Sequence, residues 1–144
     1  LKAYRDLPAF KLYLVDVGLL AAMTDLDAKT LLMGNDIFTE FKGALTEQFV
    51  CQELLAELET VPYYWSASNS SGEVDFVLQH EGEVIPLEVK AEENLNAKSL
   101  KSFVQTYKLA CGIRTSMSDY RREEKMINLP LYMISQMWEV CGRH

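Results

Sequence analysis

Asp75, Glu88 and Lys90 are the residues whose types and spacing point to chemistry. They lie in two short stretches, Gly72 to Leu78 and Val84 to Lys90, joined through Glu81-Gly82. Both stretches alternate apolar and polar side chains, as half-buried strands do. With Glu81-Gly82 as a two-residue turn, the hairpin register sets Asp75 opposite Glu88 and Glu73 opposite Lys90. Val74, Phe76, Leu78, Ile85, Leu87 and Val89 are then expected on the other face. Two carboxylates opposed on one face repel each other, and a divalent cation reverses the sign of that interaction. Hard oxygen ligands suit Mg2+ or Mn2+; magnesium commonly takes one or two protein carboxylates together with water and phosphate oxygens. Lys90 stands two residues after Glu88 and so shares its face of the strand. An ammonium there can orient an attacking water or steady negative charge developing on a phosphate. The expected chemistry is metal-assisted hydrolysis of a phosphodiester.

The elements that must carry these residues can be read around them. Residues 38–59 give the clearest helix, with Phe41, Leu45, Phe49, Val50, Leu54, Leu55 and Leu58 at helical spacing. Glu47 falls near the edge of that apolar stripe, where a partly buried ligand would sit, and is a further candidate metal ligand. Residues 10–23 read as a short strand or turn leading into a helix, and 27–33 as a short helix stopped by Gly34-Asn35-Asp36. Tyr63-Tyr64-Trp65 is a strand, and Ser66 to Gly72 is a polar loop before the Asp75 strand. A helix over 97–109, a strand near 111–115, a polar loop over 118–125, a strand over 131–134 and a helical turn over 135–140 complete the pattern. The strand–helix–strand run over 84–115 favours a parallel pair. The fold class is therefore α/β, a mixed central sheet flanked by helices.

With 144 residues, 49% of them hydrophobic and 24% charged, the chain suits one globular domain. Its organisation is read as an N-terminal segment of about 1–36 and a core of about 37–144. No apolar run approaches the roughly 20 residues of a membrane span, and no membrane partner is expected. Cys51, Cys111 and Cys141 form no C-x-x-C pair, so zinc is not indicated; buried or free thiols in a reducing cytoplasm are expected. His80 sits beside the turn and His144 at the end, poor places for a catalytic base. The net charge of −7 argues against general coating of nucleic acid. It is unevenly spread: residues 1–85 sum to −9 and residues 86–125 to +2. Lys98, Lys101, Lys108, Arg114, Arg121, Arg122 and Lys125 could line one side of a nucleic-acid groove or form an ordinary solvated face.

The array Asp75…Glu88-Val89-Lys90 resembles the active site of the PD-(D/E)xK nucleases, the restriction-endonuclease-like superfamily. The resemblance implies Asp75, Glu88 and Lys90 as catalytic residues, with Glu47 on a preceding helix joining Asp75 and Glu88 around the metal. The flanks resemble an uncharacterised domain found C-terminal to P-loop, AAA-type ATPases of bacteria and archaea. Lys11 to Leu20 resembles that family's opening, Gly43 to Leu54 its "G-x-x-x-E-x-x-V-x-x-E-L" helix, and Glu73-Val74-Asp75-Phe76-Val77 and Leu87-Glu88-Val89-Lys90 its "E-V-D-F-V" and "x-E-V-K". Leu129-Pro130-Leu131-Tyr132 resembles its ending. These features imply a piece of a longer chain whose N-terminal ATPase region is a partner, with DNA as a possible substrate or ligand and an oligomer possible. No G-x-x-x-x-G-K-S/T is present, so any ATP site lies outside this segment. The competing readings are a metal-dependent nuclease, a non-catalytic interaction module of the same fold, and a structural oligomerisation domain.

Overall fold

A computed structural model describes residues 1–4, 6, 8–24, 39–67, 72–93 and 96–141. The expected helix over 27–33 and its stop, most of the 66–72 loop, Asn94-Leu95 and His144 lie outside the described residues. A single 3-10 turn, Lys2–Tyr4, precedes an extended stretch that leads into α1, Val17–Met23. Asp16 caps α1, its Oδ1 accepting from the Leu19 N–H at 2.7 Å, which satisfies one of the donors a helix start leaves free. The long helix α2 spans Thr39–Ala56. Then come β1, Tyr63–Ser66, β2, Glu73–His80, and β3, Glu83–Val89. Helix α3, Lys98–Thr106, crosses to β4, Gly112–Ser116; β5, Arg121–Arg122, and β6, Met126–Pro130, follow. A 3-10 helix, Leu131–Gln136, runs into α4, Met137–Cys141.

The strands form one mixed sheet in the order β1-β2-β3-β4-β6-β5. β1, β2 and β3 are antiparallel, β3, β4 and β6 are parallel, and β5 closes the edge antiparallel to β6. The parallel β3–β4 pair is the one expected from the strand–helix–strand run. The β2–β3 hairpin has the expected register: His80 pairs with Glu83, and the ladder continues to Phe76 and Leu87. Glu81 and Gly82, at φ 48° and 87°, form the two-residue turn with both residues left-handed, whose twist matches that of the strands.

Apolar layers cover both faces. On one, Val50, Cys51 and Leu54 of α2 pack on Phe76, Leu78, Ile85, Leu87, Ile113 and Leu129, with Ile134 and Met137 closing the layer. On the other, Leu100, Phe103 and Val104 of α3, apolar at i, i+3 and i+4, pack on Val74, Val77 and Met126. The approach of α3 to β4 is close. A Cβ on Gly112 would lie 2.8 Å from Val104 Cγ2 and 3.2 Å from Leu100 Cδ1.

Two local expectations are corrected. The last strand is Met126–Pro130, five residues before the expected 131–134. Asn128, in the middle of this strand, is fully buried. It pairs with Arg114 across the ladder and is bonded there, so its polarity does not mark a loop. Pro130 then brings a residue without an N–H, and the chain turns into the 3-10 helix. Val74 also leaves the face assigned to it. β2 carries one extra residue against β1 between the pairs Trp65–Val74 and Tyr63–Val77. This bulge breaks the alternation, so Val74 and Val77 both join the layer under α3 while Phe76 joins the layer under α2.

Candidate functional site

Asp75 lies inside this bulge. The β2–β3 pairing ends at Phe76–Leu87, and one step further the Asp75 carboxylate takes over the ladder. Its Oδ2 accepts from the Val89 N–H at 2.8 Å. Burial, first, and then the charges of Glu47 and Glu88 push its pKa up to about 6, against the Val89 N–H and Lys11, which pull it down. Glu47 thus weighs more on Asp75 than Glu88 does.

Glu88 and Lys90 form the second part. Leu87 and Val89 pack towards α2, so Glu88 between them faces the opposite side, beside its ladder partner Arg114. Glu88 is 8% exposed. Lys90 Nζ reaches Glu88 Oε1 at 2.7 Å, so the carboxylate and ammonium stand together as their i, i+2 spacing implies. Glu88 Oε2 is buried with no hydrogen-bond partner. The expected facing of Glu73 and Lys90 does not form. Lys90 is bonded to Glu88, and Glu73 Oε1 takes Lys11 Nζ at 2.6 Å.

Glu47 projects from α2 into a cluster the sequence reading did not assign to the site. Lys11 Nζ bonds its Oε1 at 3.0 Å, and the Tyr13 hydroxyl donates to the same oxygen. Burial works against the charge of Lys11, but its bonds to Glu73 and Glu47 outweigh this and hold its pKa above the ordinary value. Burial and Glu47 likewise raise the Tyr13 hydroxyl. The segment bearing both residues is docked on α2. Gln48, 3% exposed, accepts from Leu14 N–H and donates to Leu14 C=O, each at 2.8 Å, and Gln52 accepts from Val17 N–H at 3.1 Å. A signal for this was present. Lys11 and Tyr13 are two apart in an extended stretch and so share a side, and Gln48 and Gln52 are one helical turn apart.

Beside Glu88, the α3 face carries a buried polar network. Arg114, 1% exposed, donates from Nε to Asn128 Oδ1 at 3.1 Å, and Ser116 Oγ donates to the same oxygen at 2.9 Å. Asn128 Nδ2 donates to the carbonyls of Ser118 and Asp119. Burial lowers the Arg114 pKa, and Glu123 and Glu88 oppose it. Arg114, expected on a nucleic-acid groove or a solvated face, is instead buried and off the surface.

The structure therefore joins Asp75 with Glu47, and Glu88 with Lys90, on either side of the opening in the β2–β3 ladder, and the expected facing of Asp75 and Glu88 does not form, because the bulge ends the pairing at Phe76–Leu87 and turns Asp75 to the Val89 N–H. Among the described residues no three His, Cys, Asp or Glu converge on one point. Residues 42–134 match the model of a domain of unknown function, DUF4143. The chain belongs to the DUF4143 family. The DUF4143 match takes in Glu47, Asp75, Glu88 and Lys90, whereas Lys11 and Tyr13 precede it. No curated protein and no solved structure matches the chain. No helix among the described residues is long and apolar enough to cross a membrane.

Proposed function

We propose that this DUF4143 domain is a nuclease-like module that holds Mg2+ or Mn2+ on Asp75 and Glu88, with Glu47 as an additional ligand, and acts on phosphodiester bonds in DNA. The observation that carries the reading is Glu88 Oε2, a buried carboxylate oxygen without a donor. Leaving such an oxygen unsatisfied is costly, and a cation at the site removes the cost. The donor chemistry fits. Both residues offer hard oxygens, and magnesium is held by one or two protein carboxylates with water filling the remaining positions, so Asp75 and Glu88 suffice for a site, and Glu47 would join them only by giving up its bonds to Lys11 and Tyr13. Burial and, after it, the charges of Glu47 and Glu88 raise the Asp75 pKa, and a nearby cation would favour its ionised form.

The bound ion would supply an acidified water and neutralise charge on the phosphate. The chain's own residues do the rest. Lys90, tethered to Glu88 Oε1, donates to the attacking water or to a phosphate oxygen. Asp75, fixed by the Val89 N–H, keeps its carboxylate at the mouth of the ladder. The resemblance of Lys11 to Leu20 to the opening of an ATPase-linked domain supports an N-terminal ATPase region as partner, in a cytoplasmic protein.

A second reading, a non-catalytic interaction module, is favoured by one observation: Glu47 Oε1 is already held by Lys11 and Tyr13. Metal titration separates the two. Millimolar Mn2+ is expected to raise the melting temperature, since a ligand at one hundred times its dissociation constant stabilises the native state by about 2.7 kcal/mol, and Asp75→Ala should remove the shift. DNA nicking at low salt, lost in Lys90→Ala with metal binding retained, would establish the nuclease. No shift in either metal and no cleavage of linear, supercoiled, branched or single-stranded DNA would leave the interaction module.

A further inference from the structure

The hairpin end of the sheet, away from the Asp75 bulge, brings together two cysteines that are 30 positions apart in the chain. Cys111 immediately precedes β4. Carried two steps back from the Leu87–Ile113 pair, the parallel register sets Cys111 beside Ile85, near the start of β3. Helix α4 is anchored at the same end. Its Trp138 stacks on His80, the last residue of β2, with ring centroids 4.1 Å apart and planes 2° from parallel. Cys141 follows Trp138 by three residues, one helical turn. It packs against the same apolar layer as Ile85 and Ile113, the neighbours of Cys111 in that register, and it sits near enough to Cys111 for each thiol to shift the other. Both are only partly buried, whereas Cys51 is buried beneath α2.

We propose that Cys111 and Cys141 are a paired oxidation site that closes to an intramolecular disulfide under a two-electron oxidant of the peroxide class and reopens with a thiol reductant.

The environment divides the roles of the two thiols. The hydrogen bond from Cys141, with help from Arg122, brings Cys111 to about 7 against burial and Glu83, and the same bond raises Cys141. Cys111 is therefore the attacking thiolate. Its sulfur displaces hydroxide from hydrogen peroxide and becomes a sulfenic acid. The Cys141 sulfur then attacks that sulfur, the S–O bond breaks, and hydroxide leaves and takes up the Cys141 proton as water. Overall two thiols and one peroxide give one disulfide and two waters, the thiols being oxidised and the peroxide reduced. The bond would tie α4 to the sheet at the start of β4. In a reducing compartment such bonds are transient and serve redox sensing, which suits two neighbouring thiols that stay partly accessible.

The test is oxidation of the whole chain with hydrogen peroxide, alkylation of the remaining thiols, and intact-mass and peptide analysis. The expected product is monomeric, lighter by two hydrogens, with Cys51 still alkylated and a Cys111–Cys141 cross-linked peptide that dithiothreitol releases. Cys111→Ser and Cys141→Ser should each abolish the loss of two hydrogens, and Cys51→Ser should not. The cross-linked peptide is read on the unsubstituted protein, so the test stands even where a variant folds poorly. Addition of oxygen atoms to single cysteines without cross-linking, disulfides between chains, or a product that depends on Cys51 would each overturn the proposal.

Discussion

Asp75 carries its charge at a cost. Its pKa in the fold, about 6, lies above the usual carboxylate value near 4. For a group raised in this way, the stabilising contribution is fully present below the unfolded pKa and is lost as pH rises through the folded one. The metal-free chain should therefore lose stability between about pH 4 and pH 7 at this residue. Asp75→Asn keeps an oxygen to accept from the Val89 N–H and drops the charge. It should be more stable than the parent at pH 8, by up to about 3 kcal/mol, with the gap closing towards pH 4; urea unfolding across that range measures it. Equal curves at every pH would show that Asp75 is not strained. The neighbouring prediction concerns Tyr13, whose hydroxyl donates to Glu47. Tyr13→Phe removes one donor to a partly buried carboxylate, a loss of about 1–3 kcal/mol. Thermal unfolding should show it, and an unchanged melting temperature would mean that Lys11 alone satisfies Glu47.

At the scale of elements, packing decides more than pattern does. Gly112 has no room for a side chain against α3, so Gly112→Ala should push Val104 and Leu100 aside and cost about 1–3 kcal/mol. Asn128→Ala should cost about 2–4 kcal/mol, because it removes one bond each from the buried Arg114 and Ser116 and the amide donor to two part-buried loop carbonyls. Chemical denaturation of both variants checks these values; a neutral Asn128→Ala would mean that water replaces the amide. The same positions show how much was legible. The helix near 38–59, the hairpin with its turn at Glu81-Gly82 and the parallel crossover through α3 follow from periodicity and turn chemistry, and all are present. The final strand was misplaced because Asn128 looks polar in a list of residues and becomes a core residue only once Arg114 and Ser116 are opposite it. The bulge at Asp75 was equally hidden, since an extra residue on β2 is defined by its partner β1 and leaves no local mark. That bulge is what separates Val74 from Phe76 and sets Asp75 nearer in effect to Glu47 than to Glu88. Lys11 and Tyr13 were only half legible: their i, i+2 spacing and the one-turn spacing of Gln48 and Gln52 mark each segment, but nothing local joins two segments 34 to 36 positions apart.

For the whole molecule the governing quantity is charge. Residues 1–85 sum to −9 and residues 86–125 to +2 within a total of −7. A polyanion approaching this chain is therefore repelled by most of it and attracted to one side. On that side, Lys101 of α3 and Lys125, just before β6, border one recess, but Glu123 and Glu124 border it as well. Arg114, which composition alone would add to the positive side, is buried and bonded. Under the proposed function, binding of DNA by this segment should accordingly be weak and should depend steeply on salt. Each phosphate neutralised contributes about −0.9 to the slope of log affinity against log salt on duplex DNA. Lys101→Gln with Lys125→Gln should make that slope shallower by about 1 to 2 and weaken binding to unrelated sequences alike, because such contacts read backbone and not bases. Both lysines are exposed, and the Lys125 carbonyl that takes the Gly112 N–H is backbone that glutamine keeps, so the melting temperature should hardly move, which separates lost contact from lost fold. Fluorescence anisotropy on a short duplex between about 20 and 150 mM salt covers the range in which the Debye length falls towards 8 Å. A slope unchanged in the double variant would remove the α3 side from the DNA-contacting surface. A chain that fails to bind DNA at the lowest salt, with metal present, would leave the carboxylate array without a nucleic-acid substrate and favour a protein partner.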